Sequence, residues 1–460
     1  MNSVIDPFDF AMETFGKTDL GDARRTQRLV DAAAALASHP GASIPVACAN
    51  NGARVEGFYK LIRNDAVDAD MIRLASFDAT ASAAKDQSGD LLLIQDTTSV
   101  SPVHSLREEL RTKAGSPAGY EVHTGMAVNA TTGIPFGILG QLVWSRKAKK
   151  ADRLFKVESE KWKCLDEQVS QRQIDQSRII RVADRESDIF DYIDFLDQSK
   201  HRFVLRAAQN RRIKDQGLHD HLWEAVLGAP VVGTRSITIE QRGGQKKGLE
   251  QSARSARSRS AVTTKLRAIT VELKEPRGNR TLSVNAVHVS SDDGDLEWLL
   301  LTREPIRTRH HVDRIVAHYE ARWLIERFHK AWKTGCKIEE RRMGTLDNFL
   351  RIMAITAPIA MRLLKIQVTA NAPDDTTPAT AILSQPELEV LWQKVERTPL
   401  PKTMPSCRWA YQAIAKIAGW QNSKGTGRVG LDTLWRGFEK LAALSEGWQM
   451  ATMTKNAAKR

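Results

Sequence analysis

Four side chains near residue 320 have the spacing of residues on one side of a helix. The run HYEARWLIERFHKAWKTG carries Tyr319, Arg322, Glu326 and Lys333. At about 100° per residue, these offsets keep the four side chains within roughly 60° of one helical face. A carboxylate flanked by two cations and a phenol suits a metal ion held against a phosphate. The spacing therefore indicates phosphoryl-transfer chemistry on a polyanion.

Two further carboxylates follow apolar runs that are typical of buried strands. LLLIQDTTSV places Asp96 at the end of one predicted strand, and RIIRVADRESDIF places Asp184 at the end of another. Either aspartate alone is as well explained as a strand-end cap. If the strands are adjacent and a helix crosses them, Asp96, Asp184 and Glu326 form an oxygen-rich site for two divalent metals about 4 Å apart. One metal would activate a water or a 3′-hydroxyl, and the other would stabilise the leaving oxygen.

The remaining side chains of this helix are predicted to hold phosphates beside the metals. Arg322 offers a bidentate fork, Lys333 a point charge and Tyr319 a hydroxyl. Lys330, on the neighbouring part of the helix, is expected to bind a DNA phosphate as well. His329 is interpreted as a structural or DNA-proximal residue.

Composition favours a multidomain protein that attracts nucleic acid. The chain has 460 residues, and its 68 Lys and Arg outnumber its 55 Asp and Glu to give a net charge of +13. Such an excess attracts nucleic acid without sequence specificity, although a basic protein of another kind would show it too. The four cysteines lie far apart and indicate neither a zinc site nor disulfides. With no signal sequence and no apolar run of about 20 residues, we expect a cytoplasmic protein without a membrane partner.

Basic and aromatic residues cluster in the first part of the chain. Arg24, Arg25 and Arg28 begin one predicted helix, and Tyr59 and Arg63 lie in another, FYKLIRN. A solvated amphipathic face explains the first group equally well in isolation. The two basic helices together favour a module that contacts DNA.

The rest of the chain is predicted to form an α/β domain and a helical domain. Three strands, a helix, a strand, a helix and a strand indicate a mixed sheet covered by helices. Four further strand-like segments indicate a β-rich insertion, within which the basic tract 242–259 is expected to be a mobile loop. The predicted domains are a helical DNA-binding domain at 1–70, a catalytic domain at 71–368 with its insertion at about 207–305, and a helical domain at 369–460.

The motifs IQDTTS, ADRESDI and Y-x-x-R-W-x-I-E-x-F-H-K-A-W-K-T-G resemble the three blocks of the bacterial DDE cut-and-paste transposases. The chain is most similar to the insertion-sequence-four family, nearly end to end. The resemblance implies an RNase H-like fold with Asp96, Asp184 and Glu326 as its metal-binding triad. It also implies two Mg²⁺ ions, for which Mn²⁺ would substitute. The helix residues then complete the Y-R-E-K signature of that family.

The same resemblance implies a reaction on double-stranded DNA. The family cuts transposon ends through a hairpin intermediate, with a flipped base stacked on a Trp that Trp298 matches. From its strand alone, Trp298 would be predicted to lie in the core. A homodimer paired through the C-terminal helices would hold two ends and insert the element into target DNA. The residues implied to recognise the ends are Arg24, Arg25, Arg28, Tyr59 and Arg63.

Departures from the family pattern leave part of the mechanism open. The basic tract and the linker at 369–410 match poorly, and GYEVHTGMAV keeps only Tyr120 of a more aromatic pair. A catalytically silent, transposase-derived DNA-binding regulator or inhibitor is the main alternative, and a DDE nuclease of repair or restriction is another. The complete triad and the basic N-terminus favour an active transposase, associated with the bacterial nucleoid when it is bound to DNA.

Overall fold

The computed structural model describes most of the chain, in which helices precede and follow a region that contains the strands. The described residues are 6–103, 105–110, 118–147, 154–214, 219–239, 260–372, 376–423 and 429–457. The basic tract 242–259, which the composition predicts to be a mobile loop, lies outside these ranges. Within them, no helix is both long enough and apolar enough to cross a membrane.

The N-terminal region is helical, as its periodicity predicts. The helices are α1 (Pro7–Phe15), α2 (Ala23–Ser38), α3 (Ile44–Ala47), α4 (Gly52–Ile62) and α5 (Ala69–Lys85). The side chains of Asp6, Asp22 and Asn51 accept hydrogen bonds from backbone N–H groups in the first turns of α1, α2 and α4. Such caps satisfy donors that have no partner within their own helix.

A mixed sheet follows, and its strand order is consistent with an RNase H-like core. Its first strands are β1 (Leu91–Val100), β2 (Tyr120–Asn129), β3 (Pro135–Ser145), β4 (Ile179–Ala183) and β5 (Arg202–Arg206). They lie in the order β3-β2-β1-β4-β5, with β2 antiparallel to its neighbours and β1, β4 and β5 parallel. The helices between them are α6 (Ser105–Leu110), α7 (Lys161–Ser170) and α8 (Phe190–Gln198).

The β-rich insertion extends this sheet instead of forming a separate body. After α9 (Leu222–Gly228), the chain forms β6 (Val231–Ile239), β7 (Ser260–Lys274), β8 (Thr281–Ser291) and β9 (Glu297–Thr302). Strand β9 pairs antiparallel with β5, so in the described residues the sheet continues as β5-β9-β8-β7-β6. The pairing places Trp298, in β9, on the same sheet as β1 and β4.

Helices complete the fold. They are α10 (Arg309–Glu320), α11 (Trp323–Lys330), α12 (Leu346–Ala370), α13 (Gln385–Glu396), α14 (Cys407–Ile417) and α15 (Leu431–Ala457). The first core joins the N-terminal helices to the sheet, since Leu36 of α2, Ile94 of β1 and Ile355 of α12 belong to one buried cluster. Helices α13 to α15 surround a second cluster, which includes Leu391 and Tyr411.

A buried ion pair ties α7 to the central strand β4. Arg181 and Asp166 are fully buried, and Arg181 Nε donates to Asp166 Oδ1 at 2.7 Å. The Tyr192 hydroxyl of α8 donates to the other carboxylate oxygen at 2.7 Å. Because charge is costly to bury without partners, this pair holds two helices in one arrangement on the sheet.

Removing the cation of this pair should destabilise the fold strongly. Arg181→Met leaves Asp166 buried without its counter-charge, which costs about 3–5 kcal/mol in comparable sites. Urea denaturation followed by circular dichroism measures this loss. Lys163→Met is the control, on the helix α7 that carries Asp166. Lys163 pairs with Glu167 at 3.9 Å, and the two side chains are 53% and 55% exposed. The control should change stability by less than about 1 kcal/mol, and equal losses in the two variants would contradict the prediction.

Candidate active site

Strand pairing places two aspartates side by side. Gln95 of β1 pairs in parallel with Ala183 of β4, so the next residues, Asp96 and Asp184, are neighbours. Asp184 follows the last residue of β4, and its carboxylate accepts a hydrogen bond from Glu186 N at 3.0 Å. The sequence places Asp96 at the end of its strand, and this is wrong: β1 continues to Val100 because its pairing with β2 extends beyond that with β4.

The buried carboxylate of Asp96 lies in a field of negative charge. Its side chain is 18% exposed and accepts a hydrogen bond from Thr97 N at 2.8 Å. Burial raises the pKa of Asp96 to about 7, with a further contribution from the charge of Asp184 and a smaller one from Glu326. The charges of Asp184 and Glu326 therefore both act on Asp96, and the negative charge around it is only partly neutralised.

Arg322 supplies part of the missing positive charge. Its Nη2 atom lies 2.5 Å from Glu326 Oε1, and its charge also lowers the pKa of Asp96 against the larger raising effects. Among the described residues, no group of three or more His, Cys, Asp or Glu side chains is arranged to hold a metal ion. The donor set nevertheless fits a divalent cation, because it consists of carboxylate oxygens and carries excess negative charge.

The predicted single helix through Tyr319, Arg322, Glu326 and Lys333 is wrong, because three helical segments replace it. Helix α10 ends at Glu320, α11 begins at Trp323, and a π-helical turn covers Ala331–Gly335. At the first junction Arg322 N bonds to Tyr319 O at 3.0 Å, a three-residue spacing that tightens the chain. Glu326 therefore lies on a short helix with an irregular turn at each end.

Tyr319 contacts neighbouring side chains more than solvent. It is 3% exposed, and its ring meets the partly exposed Trp298 edge to face with centroids 4.9 Å apart. Burial raises the pKa of Tyr319, and the nearby Arg206, a residue that the sequence did not single out, opposes this rise. Arg206 is the last residue of β5, which pairs with β9. The sequence signal that could have identified Arg206 is its position at the carboxyl end of a predicted strand.

The basic residues after Glu326 have different environments. His329 Nδ1 lies 4.0 Å from Asp96 Oδ2, and burial, together with the charges of Lys333 and Arg322, lowers the pKa of His329 to about 3. His329 is therefore neutral at physiological pH. Lys333 Nζ lies 4.0 Å from Glu339, whereas Lys330 is exposed. Lys333 is thus beside the site, and Lys330 faces solvent.

The N-terminal residues predicted to contact DNA divide into two groups. Arg28, Tyr59 and Arg63 line one surface cavity, and the Arg63 guanidinium lies 4.9 Å from the Tyr59 ring centroid. Arg24 is exposed and pairs with Asp22, whereas Arg25 donates to a backbone carbonyl within the preceding loop. A compact basic and aromatic patch is therefore formed by α2 and α4 together.

Two aspartates at adjacent parallel strands, beside arginine and aromatic side chains, are an arrangement that suits the phosphodiesters of a nucleic acid. Residues 8–67 match the family model for transposase DNA-binding, and residues 166–360 match the family model for the transposase DDE domain. The two matches together cover more than half of the chain. The chain is a DDE-type transposase, and enzymes with this domain generally use divalent metal ions. Asp184 and Glu326 lie within the second match, and Asp96 precedes it.

Ionisation of Asp96 should make the metal-free protein less stable as pH rises. Its folded pKa is about 7, whereas an unfolded aspartate ionises near about 3.9. The folded state therefore binds this proton more tightly, and stability is lost as pH rises through that window. At a pH of about 8, Asp96→Asn should be more stable than the wild type by roughly 2–4 kcal/mol.

Denaturant unfolding in the presence of a chelator, at a pH of about 4 and of about 8, measures this difference. The advantage of Asp96→Asn should disappear at the lower pH. It should also shrink when Mg²⁺ or Mn²⁺ is added, because a cation relieves the repulsion only in the wild type. An advantage that is equal at both pH values would contradict the assignment.

Proposed function

We propose that this protein is a cut-and-paste transposase of the insertion-sequence-four type. In this proposal it binds the ends of a mobile element in the bacterial cytoplasm, cleaves them through a hairpin and inserts the element into target DNA. The observation that supports the proposal is the adjacent placement of Asp96 and Asp184 on paired strands, with the charge of Glu326 acting on Asp96 and Arg322 bonded to Glu326. A site of this charge on a DDE transposase domain supports cleavage as well as DNA binding.

The carboxylates are proposed to hold two Mg²⁺ ions, with Mn²⁺ as a substitute. Bound ions of this kind activate an attacking oxygen and stabilise a leaving one. Asp96 and Asp184 are held by their strands, so Glu326 is the carboxylate that has to leave its present partner. When it does, the Arg322 fork becomes available for a phosphate. Tyr319 then acts by orienting Arg206 and Trp298, and Lys333 adds charge beside the strand.

Trp298 is proposed to receive the base that is flipped out during hairpin formation. It lies partly exposed on β9, and its contact with Tyr319 fixes the ring on one side. Stacking on an aromatic ring contributes about 1–3 kcal/mol per base, which offsets the cost of unstacking. The base and the reacting phosphate would thus be held by neighbouring elements of one site.

Recognition of the ends is proposed for the N-terminal patch of Arg28, Tyr59 and Arg63, with Arg24 and Arg25 nearby. A homodimer is proposed to bring two ends together through the C-terminal helices, each subunit cutting the end that its partner holds. Trp448 and Met450, near the end of α15, are 44% and 69% exposed. This part of α15 is proposed to take part in the pairing.

Replacing Glu326 should separate cleavage from DNA binding. Purified protein with Mg²⁺ should nick and then hairpin labelled duplexes copied from the DNA that flanks the gene. Glu326→Gln removes the charge that holds a cation, so cleavage should fall by at least about a hundredfold. Its affinity for the same duplexes, measured by gel shift, should stay near the wild-type value.

Each result of this experiment has a distinct meaning. Cleavage by Glu326→Gln at the wild-type rate would contradict the catalytic assignment. Binding by the wild type without any cleavage would favour the silent regulator. Degradation of the duplexes without a hairpin product would favour a repair or restriction nuclease.

Loss of the indole should affect hairpin formation more than the first nick. Trp298→Ala removes a stack of about 1–3 kcal/mol, so hairpin closure should slow by roughly 5- to 150-fold. Trp298→Phe should keep part of the rate. Trp144→Ala is the matched control, because Trp144 lies on β3 and packs on Phe155 with centroids 5.0 Å apart. Wild-type hairpin formation by Trp298→Ala would contradict the role of Trp298.

A further inference from the structure

Arginines from the segment after the catalytic helix bind backbone carbonyls of the N-terminal helices. Arg351, on α12, donates from Nε to Val67 O at 2.6 Å and from Nη1 to Ile62 O at 2.8 Å. Its side chain is 7% exposed. Ile62 is the last residue of α4, whose final carbonyls have no partner within the helix and carry its negative dipole end. The guanidinium satisfies these carbonyls and fixes the end of α4.

Two other buried arginines make contacts of the same kind. Arg341 donates from Nη1 to Ala42 O at 3.2 Å and also bonds to the Pro40 carbonyl. Arg362, on α12, donates to Ala37 O near the end of α2 at 3.3 Å. A backbone carbonyl offers no side-chain identity to read. These contacts therefore fix the position of the N-terminal helices, and they would do so whatever side chains those helices carried.

The opposite side of α12 is joined to the segment that carries Glu326. Arg327, the next residue, donates to Gln367 of α12 at 2.6 Å. The buried Trp332 indole donates to Thr356 of α12 at 2.9 Å. Helix α12 extends from Leu346 to Ala370 and contains Pro358, so the path from Thr356 to Arg351 lies entirely before the proline. A short path of charged and polar contacts thus connects the catalytic carboxylate to α4.

We infer that Arg351 is a positioning residue that sets which phosphate of a bound DNA end is cleaved. It holds Ile62 next to Arg63, at the end of the helix that carries the basic and aromatic patch. In the proposed dimer the partner subunit makes the cut, so the Arg351 contact acts by fixing the patch against α12 and the body of its own subunit, to which the partner is paired. This inference rests on the proposed recognition of DNA ends by the patch. It adds that the Arg351 contact with α4 determines where a recognised end is cut.

Loosening this contact should spread the position of the cut. Arg351→Met keeps an apolar stem but cannot bond to the carbonyls of Ile62 and Val67. Its affinity for labelled duplexes copied from the DNA flanking the gene should match the wild type. Its cleavage rate at the wild-type phosphate should fall by about a hundredfold, since a misplacement of about 1 Å has that effect. New cuts should appear at adjacent phosphates on a sequencing gel.

Two variants serve as controls for folding and for charge. Arg172→Met removes another buried arginine, which pairs with Asp78 at 2.6 Å away from the link between α4 and α12. It should still cut at a single phosphate. Arg351→Lys keeps the charge but cannot reach both carbonyls, because a lysine lacks the planar fork. It should give an intermediate spread of cuts.

The outcomes separate this inference from the proposed function. A wild type that cuts no duplex would overturn both. Arg351 variants that cut only at the wild-type phosphate, at the rate of Arg172→Met, would overturn the inference alone. Hydrogen exchange on the wild type is a test that needs no variant to fold. Amides at the end of α4 should exchange as slowly as those of α12, and rapid exchange there would also overturn the inference.

Discussion

Repulsion between Asp96 and Asp184, increased by the charge of Glu326, is the constraint on which the rest of the site depends. Parallel pairing of β1 with β4 leaves Asp96 and Asp184 no freedom to separate, because the same ladder forms the centre of the fold. Burial then raises the pKa of Asp96 towards neutrality. Arg322 and Glu326 form the adjustable part of this arrangement. A cation is the natural complement of such a site, since it neutralises charge that the protein has buried.

A network of buried hydrogen bonds holds β1 in place against this repulsion. The Tyr192 hydroxyl donates to Asp166, so it accepts from the Gln95 amide, whose nitrogen is 3.3 Å away. The Gln95 carbonyl oxygen then accepts from His123 Nε2 at 3.3 Å. His123 is buried, which lowers its pKa, and its neutral ring accepts at Nδ1 from the Thr97 hydroxyl at 3.0 Å. Each donor has an acceptor, so the strand beside the first carboxylate is held in place.

Much of the fold could be predicted from the sequence, and the errors have physical causes. Apolar runs identified β1 and β4, but the end of β1 depends on how far β2 pairs with it, which no local pattern reveals. Helical periodicity placed Arg322 and Glu326 near each other, yet it could not show the tightened junction after Glu320. Arg206 and Arg351 were missed because each of them donates to backbone carbonyls that are distant in sequence, Glu297 O for Arg206 and Ile62 O and Val67 O for Arg351.

The irregular turns around Glu326 follow from the demands on its helix. A continuous helix would fix the angle between the side of α10 that meets Trp298 and the side of α11 that faces the carboxylates. The tightened junction changes that angle, so Tyr319 packs on Trp298 while Glu326 lies close enough to act on Asp96. The π-helical turn after Lys330 then redirects the chain, and Trp332 bonds to Thr356 of α12. Because of these two turns, the side chains of α10, α11 and the π-helical turn point towards different parts of the structure. A straight helix would direct them along one face.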